Sequence, residues 1–267
     1  MIIHLVQLNK PLDKVFFLLH QDIIFLNLND IIEITKRFQE EVLEEKLIKS
    51  KHRVQKHGEV FTPAWMVQKM LDTPGVKEAC ENVSATFLEP AAGDGNFLLA
   101  ILERKLQAVA DQYDERNWKT KSLIALSSIY GIEFLEDNLE VARSRMFLYY
   151  LDWYEKYFGT RLSSRSDVYQ SAHYLIHKNI IRGNTLTKKH PITGEPIMFN
   201  EWQIVKGHPS TVRKIPFAFA ELFGEEVEHD SGVVEGQLSL FDFDEEDDES
   251  KEEIKEINIQ KVYMLGD

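Results

Sequence analysis

The segment that most restricts how this chain can fold is Ala85–Gly95, where a short apolar run passes into a turn built on two glycines. Ala85–Leu88 reads as a strand and Glu89-Pro90-Ala91-Ala92-Gly93-Asp94-Gly95 as the turn. Asn96–Ala110 reads as the helix that follows, with Phe97, Leu98, Ile101, Leu102 and Leu106 on its buried side. The alternation continues downstream. Leu123–Ile132 is predicted as a second strand, and about Leu135 to Phe158 as a long helix stopped by Gly159. Val168–His177 is predicted as a shorter helix and Asn179–Arg182 as a third strand. Strand, helix, strand, helix, strand predicts an α/β fold with a parallel, doubly wound sheet.

The flanks carry different patterns. Residues 1–28 show no clear period and read as an extension. From Asn29 a helical pattern (Ile31, Ile34, Phe38, Val42) runs to about Lys51. Thr62 and Pro63 read as N-cap and first residue of a helix over Ala64–Leu71. Ile197–Val205 and Thr211–Phe219 read as a β-hairpin around Gly207-His208-Pro209. The organisation expected is an N-terminal extension (1–54), a main domain (55–224), an acidic tail (225–256) and a short C-terminal segment (257–267).

Charge bears on partners once it is located. The net charge is −13, and residues 225–256 hold fifteen acids against Lys251 and Lys255, which accounts for all of it. The tail is therefore predicted to be disordered, because like charges repel and few apolar residues offset chain entropy. The remainder is neutral, with basic clusters at Lys46–His57, Lys178–His190 and Lys206–Lys214 that could meet phosphate. Cys80 is the only cysteine, so no internal disulfide can form and a reducing cytoplasm is expected. The longest apolar stretch, Val15–Leu28, is interrupted by His20, Gln21 and Asp22, and no membrane span is expected.

A strand ending in a glycine turn that opens a helix lets a ligand approach backbone N–H groups. Gly93 and Gly95 are expected to remove side chains that would block that approach. A dinucleotide fingerprint needs a third glycine three residues after the second, and here Leu98 stands there. A pyrophosphate is thus disfavoured, and a smaller ligand carrying a carboxylate and an ammonium is favoured.

Leu88-Glu89-Pro90-Ala91-Ala92-Gly93-Asp94-Gly95-Asn96-Phe97 resembles motif I of the adenine-N6 DNA methyltransferases, especially modification subunits of restriction systems. Gly58-Glu59-Val60-Phe61-Thr62-Pro63 resembles the motif that precedes it in that family. The resemblance covers about residues 55–190. It implies a Rossmann-like fold, shortened here after the third strand, that binds S-adenosylmethionine and methylates adenine N6 in DNA. Implied cofactor-binding residues are Phe61, Thr62, Pro63, Glu89, Pro90, Ala91, Gly93, Gly95, Asn96 and Phe97. Tyr130-Gly131-Ile132-Glu133 resembles the family's second strand, which implies that Glu133 accepts both ribose hydroxyls. Ile181-Arg182-Gly183-Asn184-Thr185-Leu186 resembles the third strand's end, with Asn184 where an Asp usually contacts the adenine.

One departure stands out. The family's catalytic motif is Asn/Asp/Ser-Pro-Pro-aromatic, whose polar group and held carbonyl accept hydrogen bonds from the target amine. No Pro-Pro pair occurs in this chain. Asn200-Glu201-Trp202 is the nearest substitute, and no catalytic residue is assigned. The alternative expectation is a cofactor-binding subunit without catalysis, or a truncated methylase, completed by a partner such as a specificity or restriction subunit that supplies this motif and the DNA recognition. Gln237-Leu238-Ser239-Leu240-Phe241, in the tail, resembles the short peptide by which bacterial proteins bind the replication sliding clamp. His173 and His177 stand at i, i+4 without a third ligand, so no metal site is expected.

Overall fold

Three short parallel strands form the centre of the structure, a computed structural model that describes residues 6–8, 15–17, 50–57, 59–224 and 255–266. The sheet has the order β2-β1-β3-β4-β5, with β1 at Val6–Leu8, β2 at Val15–Phe17, β3 at Thr86–Glu89, β4 at Ile129–Glu133 and β5 at Ile180–Arg182. β3, β4 and β5 are parallel, and β1 runs antiparallel to both β3 and β2. The segment expected as an extension therefore contributes two strands to the main sheet. Most of the helix expected over residues 29–51 lies outside the described residues.

Among the described residues seven helices follow in chain order: α1 (Lys51–His57), α2 (Ala64–Leu71), α3 (Val76–Glu81), α4 (Asn96–Gln112), α5 (Glu115–Ser127), α6 (Glu136–Phe158) and α7 (Asp167–Asn179). The glycine turn does open a helix, and Gly159 does stop α6, in the left-handed conformation at φ +66°. The second strand corrects the sequence reading. Leu123–Ser127 is the last part of α5, and the strand begins only at Ile129. Leu-Ile-Ala-Leu-Ser is buried on every side, and such a run has no period that separates strand from helix. The 44-residue interval from Glu89 to Glu133 thus holds two helices rather than one. The helix cap is also corrected: Pro63, not Thr62, is the N-cap of α2, and no side chain caps it.

Side-chain direction on β4 fixes what covers each face of the sheet. A Cβ on Gly131 would stand 3.0 Å from Leu98 Cδ1 of α4, so that face packs on α4 without room for a larger residue. Tyr130 points the opposite way, and its ring packs edge-on against Phe199, at 5.4 Å between centroids. Its hydroxyl donates to the Asn200 carbonyl at 2.7 Å. Phe199 and Asn200 belong to a second, antiparallel sheet of β6 (Met198–Ile204), β7 (Thr211–Ala218) and β8 (Glu256–Asn258). The expected hairpin is β6–β7.

β8 was not legible in the sequence. Glu256, expected in the disordered tail, is a strand residue that accepts from Arg213 Nε at 2.7 Å. A 3-10 helix, Ile259–Leu265, then docks on the main body. Ile259 and Val262 are fully buried, Gln260 donates to Thr120 Oγ1 at 2.9 Å, and Tyr263 donates to Asp167 at 2.7 Å. The acidic segment is therefore joined to folded structure at both ends, at Gly224 and at Lys255. Residues 225–254, with the whole Gln237–Phe241 peptide, lie outside the described residues.

One buried cation organises the approach to β3. Lys105 is fully enclosed, and its Nζ donates to the carbonyls of Asn82, Val83 and Ala85 at 2.8, 3.3 and 2.6 Å. Burial pushes its pKa down to about 7. No described helix is long and apolar enough to cross a membrane.

Candidate functional site

In a parallel sheet the ligand crevice lies beyond the carboxyl ends of the strands. Here a cavity of about 520 Å³ occupies that position. Phe61, Thr62, Pro90, Ala91, Gly93, Asn96, Phe97, Glu133 and Asn184 all line it. Two segments 30 residues apart, Phe61-Thr62 and Pro90–Phe97, thus form one wall. Asn96 ties them directly, because its Nδ2 donates to the Thr62 carbonyl at 3.1 Å. Arg145 of α6 holds the turn from behind: its Nη1 donates to the Asp94 carbonyl at 2.8 Å and to Asn96 Oδ1 at 2.9 Å.

Glu133, the last residue of β4, is the electrostatic centre of the cavity. Its Oε2 accepts from the Gly93 N–H at 2.7 Å, and its Oε1 accepts from the Leu135 N–H at 2.8 Å. The side chain is buried, and burial raises its pKa against the lowering pull of those N–H groups and of Asn138. The carboxylate of one strand end therefore clamps the glycine turn of its neighbour. The Gly183 N–H in turn donates to the Glu133 carbonyl at 3.0 Å, so the third strand end is set on the second.

The two glycines do different work from one another, and Gly93 lines the cavity. Gly95 does not line the cavity. It is the N-cap of α4 at φ +90°, and a Cβ there would lie 2.9 Å from Ala142 Cβ. Its hydrogen admits α6 against the turn. Gly93, at φ +56°, lets the turn face the Phe61 ring, which a Cβ would meet at 3.4 Å. The conformation and helix packing, rather than ligand approach alone, require glycine at these positions.

Three further expected residues stand apart from the lining or are engaged elsewhere. Pro63 and Glu89 do not line the cavity. Glu89 is 1% exposed, and its Oε1 accepts from the Ala91 N–H at 3.1 Å while its Oε2 meets no described hydrogen-bond donor. Burial, with repulsion from Glu133, pushes its pKa up to about 8. Asn184 Oδ1 accepts from the N–H groups of Leu186 and Thr187 at 3.0 and 3.2 Å, which makes it the organiser of a turn at the cavity rim. Gly58 lies outside the described residues.

The Glu89 carboxyl makes a pH signature that can be measured. A raised folded-state pKa means the folded chain binds a proton that the unfolded chain releases, so its contribution to stability is full below about 4.5 and is lost as pH rises through about 8. Replacing Glu89 with Gln should flatten this decline, at up to about 1.4 kcal/mol per pH unit. Urea unfolding of both proteins from pH 5 to 9 checks it. Parallel curves would mean that Glu89 ionises as an ordinary glutamate.

Sequence reasoning missed Lys56, Glu59 and Asn138, all of which line the cavity. Glu59 sits inside the motif quoted above, so a signal existed. Asn138 lies five residues beyond Glu133, in the first turn of α6, and nothing in its surroundings marks it. Asn200-Glu201-Trp202, the nearest substitute for a catalytic motif, is not at the cavity. Trp202 is buried, and its Nε1 donates to Asn179 Oδ1 at 2.9 Å. His173 and His177 stack on one another at 4.0 Å, and the His177 ring bonds its own helix through the His173 carbonyl. Among the described residues no group of three or more His, Cys, Asp or Glu side chains is placed to hold a metal.

The chain matches no protein family, no curated protein and no solved structure with which it was compared.

Proposed function

We propose that the crevice beyond β3, β4 and β5 binds S-adenosylmethionine, and that the chain is the cofactor-binding part of a DNA adenine-N6 methyltransferase in a restriction–modification-like system. The observation that carries this reading is Glu133. Its two oxygens are fixed by the Gly93 and Leu135 N–H groups, with Asn138 beside them, and a buried strand-end carboxylate so held is placed to accept from a hydroxyl such as one of a ribose. The volume also fits, since pockets for ligands of this size run to about 300–1,000 Å³. Acids at the wall, Glu59, Asp94 and Glu133, suit a ligand that carries positive charge, and Lys56 offers a counter-charge for a carboxylate. Thr62 and Phe61 form the side that the resemblance assigns to the methionine portion.

The bound cofactor would supply an electrophilic methyl group. What this chain contributes is position: Glu133 orients the ribose, the Gly93 turn and Asn96 set the wall, and Phe97 and Phe61 exclude water. Methyl transfer to an amine needs alignment and a lone-pair acceptor more than a strong base.

A second reading is favoured by one observation. The only sequence candidate for that acceptor, Asn200-Glu201-Trp202, is engaged in the antiparallel sheet, and Trp202 is spent on Asn179. We propose accordingly that the acceptor and the DNA-reading surface come from a partner subunit. Gln237–Phe241 remains our proposed contact for a sliding clamp.

Titration calorimetry of the full chain with S-adenosylhomocysteine tests the cofactor site, and absence of binding at millimolar ligand removes it. Transfer of tritiated methyl groups to unmethylated DNA tests the division of labour. The expected result is little transfer by the chain alone, and robust sequence-specific transfer by the purified chain would overturn the partner reading.

A further inference from the structure

Part of the cavity lining does not belong to the strand ends. α1 and the segment after it bring Lys56 and Glu59 to the crevice from one side, and the first turn of α6 brings Asn138 from the other. Arg53 spans the two. Its Nε bonds the Glu59 carboxylate, Nη1 and Nη2 donate to the two oxygens of Asp137 at 2.8 and 3.1 Å, and Nη2 also reaches Asn138 Oδ1 at 3.4 Å. Asn138 Nδ2 closes the ring by donating to Glu59 Oε1 at 3.3 Å.

We infer that α1 is a latch over the cavity, that Arg53 on Asp137 is its bolt, and that the ligand exchanges only when this bolt opens. The inference rests on the proposed cofactor site for the identity of the ligand, but not for the latch itself. Isolated surface ion pairs hold little, whereas a planar guanidinium engaged by two oxygens of one carboxylate and by a second, buried carboxylate holds a fixed geometry. Glu59 is only 9% exposed, so its charge depends on Arg53 for compensation. α1 has just seven residues and could not persist as an isolated helix. Opening the bolt would therefore free α1 and carry Lys56 away from the cavity. Asp137 is more than half exposed, which makes it the side from which the bolt can open. Arg53 is in this sense a positioning residue: it touches Glu59 and Asn138, and through them shapes the wall.

Two measurements decide this. Hydrogen exchange in the ligand-free chain reads the latch directly. Arg53→Gln and, from the other side, Asp137→Asn should each speed exchange of the α1 amides at least tenfold and leave α4 unchanged. Stopped-flow release of S-adenosylhomocysteine should then be at least tenfold faster in both variants. Unchanged α1 exchange in both single variants overturns the latch. Faster α1 exchange with unchanged ligand release overturns its control of the cavity. If wild type fails to bind S-adenosylhomocysteine, the cofactor reading falls, and hydrogen exchange still decides the latch.

Discussion

Gly95→Ala is expected to lower the stability of the chain by about 2–5 kcal/mol. An L residue in the left-handed region costs about 1–2 kcal/mol. The added methyl would also stand 2.9 Å from Ala142 Cβ and 3.0 Å from Ala142 Cα, and overpacking of this kind costs about 1–3 kcal/mol. Neither contact is relieved by rotating a side chain, because the Cβ and Cα of Ala142 are fixed by the backbone of α6. Gly159→Ala isolates the first contribution: φ is +66° there, but a Cβ would meet nothing within 4 Å. Thermal unfolding of the two variants should show a clearly larger fall for Gly95→Ala. Equal falls would mean that α4 and α6 do not approach at the glycine turn.

Glu133→Ala is expected to weaken S-adenosylhomocysteine binding by about 1–3 kcal/mol, the size of lost charge-assisted hydrogen bonds. The same change leaves the N–H groups of Gly93 and Leu135 without their acceptor, so the turn that forms the wall should loosen as well. Affinity of the wild-type chain should fall as pH is lowered, because protonation removes an acceptor site. Burial raises the Glu133 pKa, so that fall should begin above the range of an exposed glutamate. Calorimetry at several pH values checks both points. An unchanged dissociation constant for Glu133→Ala would remove the carboxylate from the ligand's surroundings.

Much of the site was legible before any coordinates. The glycine turn between a strand and a helix, the acid closing the next strand and the Phe-Thr-Pro segment are local patterns, and Phe61, Thr62, Gly93 and Glu133 from them do meet at one cavity, while Pro63, Glu89 and Gly95 stand off it. Local patterns fail where burial is complete. Leu123–Ser127 is apolar enough for a strand, and only its packing as the end of α5 decides that it is helical. Asn200-Glu201-Trp202 likewise has the composition of a catalytic segment, while its place on β6 turns the indole towards Asn179.

The β3–turn–α4 unit, the stop of α6 at Gly159 and the β6–β7 hairpin follow from the sequence alone, because each depends on residues within a few positions of one another. The tertiary structure decided the rest. It paired β8 with β7 across more than thirty intervening positions, set Ala142 against Gly95, and brought Arg53 to Asp137, 84 positions away. Such contacts are chosen by which surfaces fit when the layers close, and no local period in the chain carries that information.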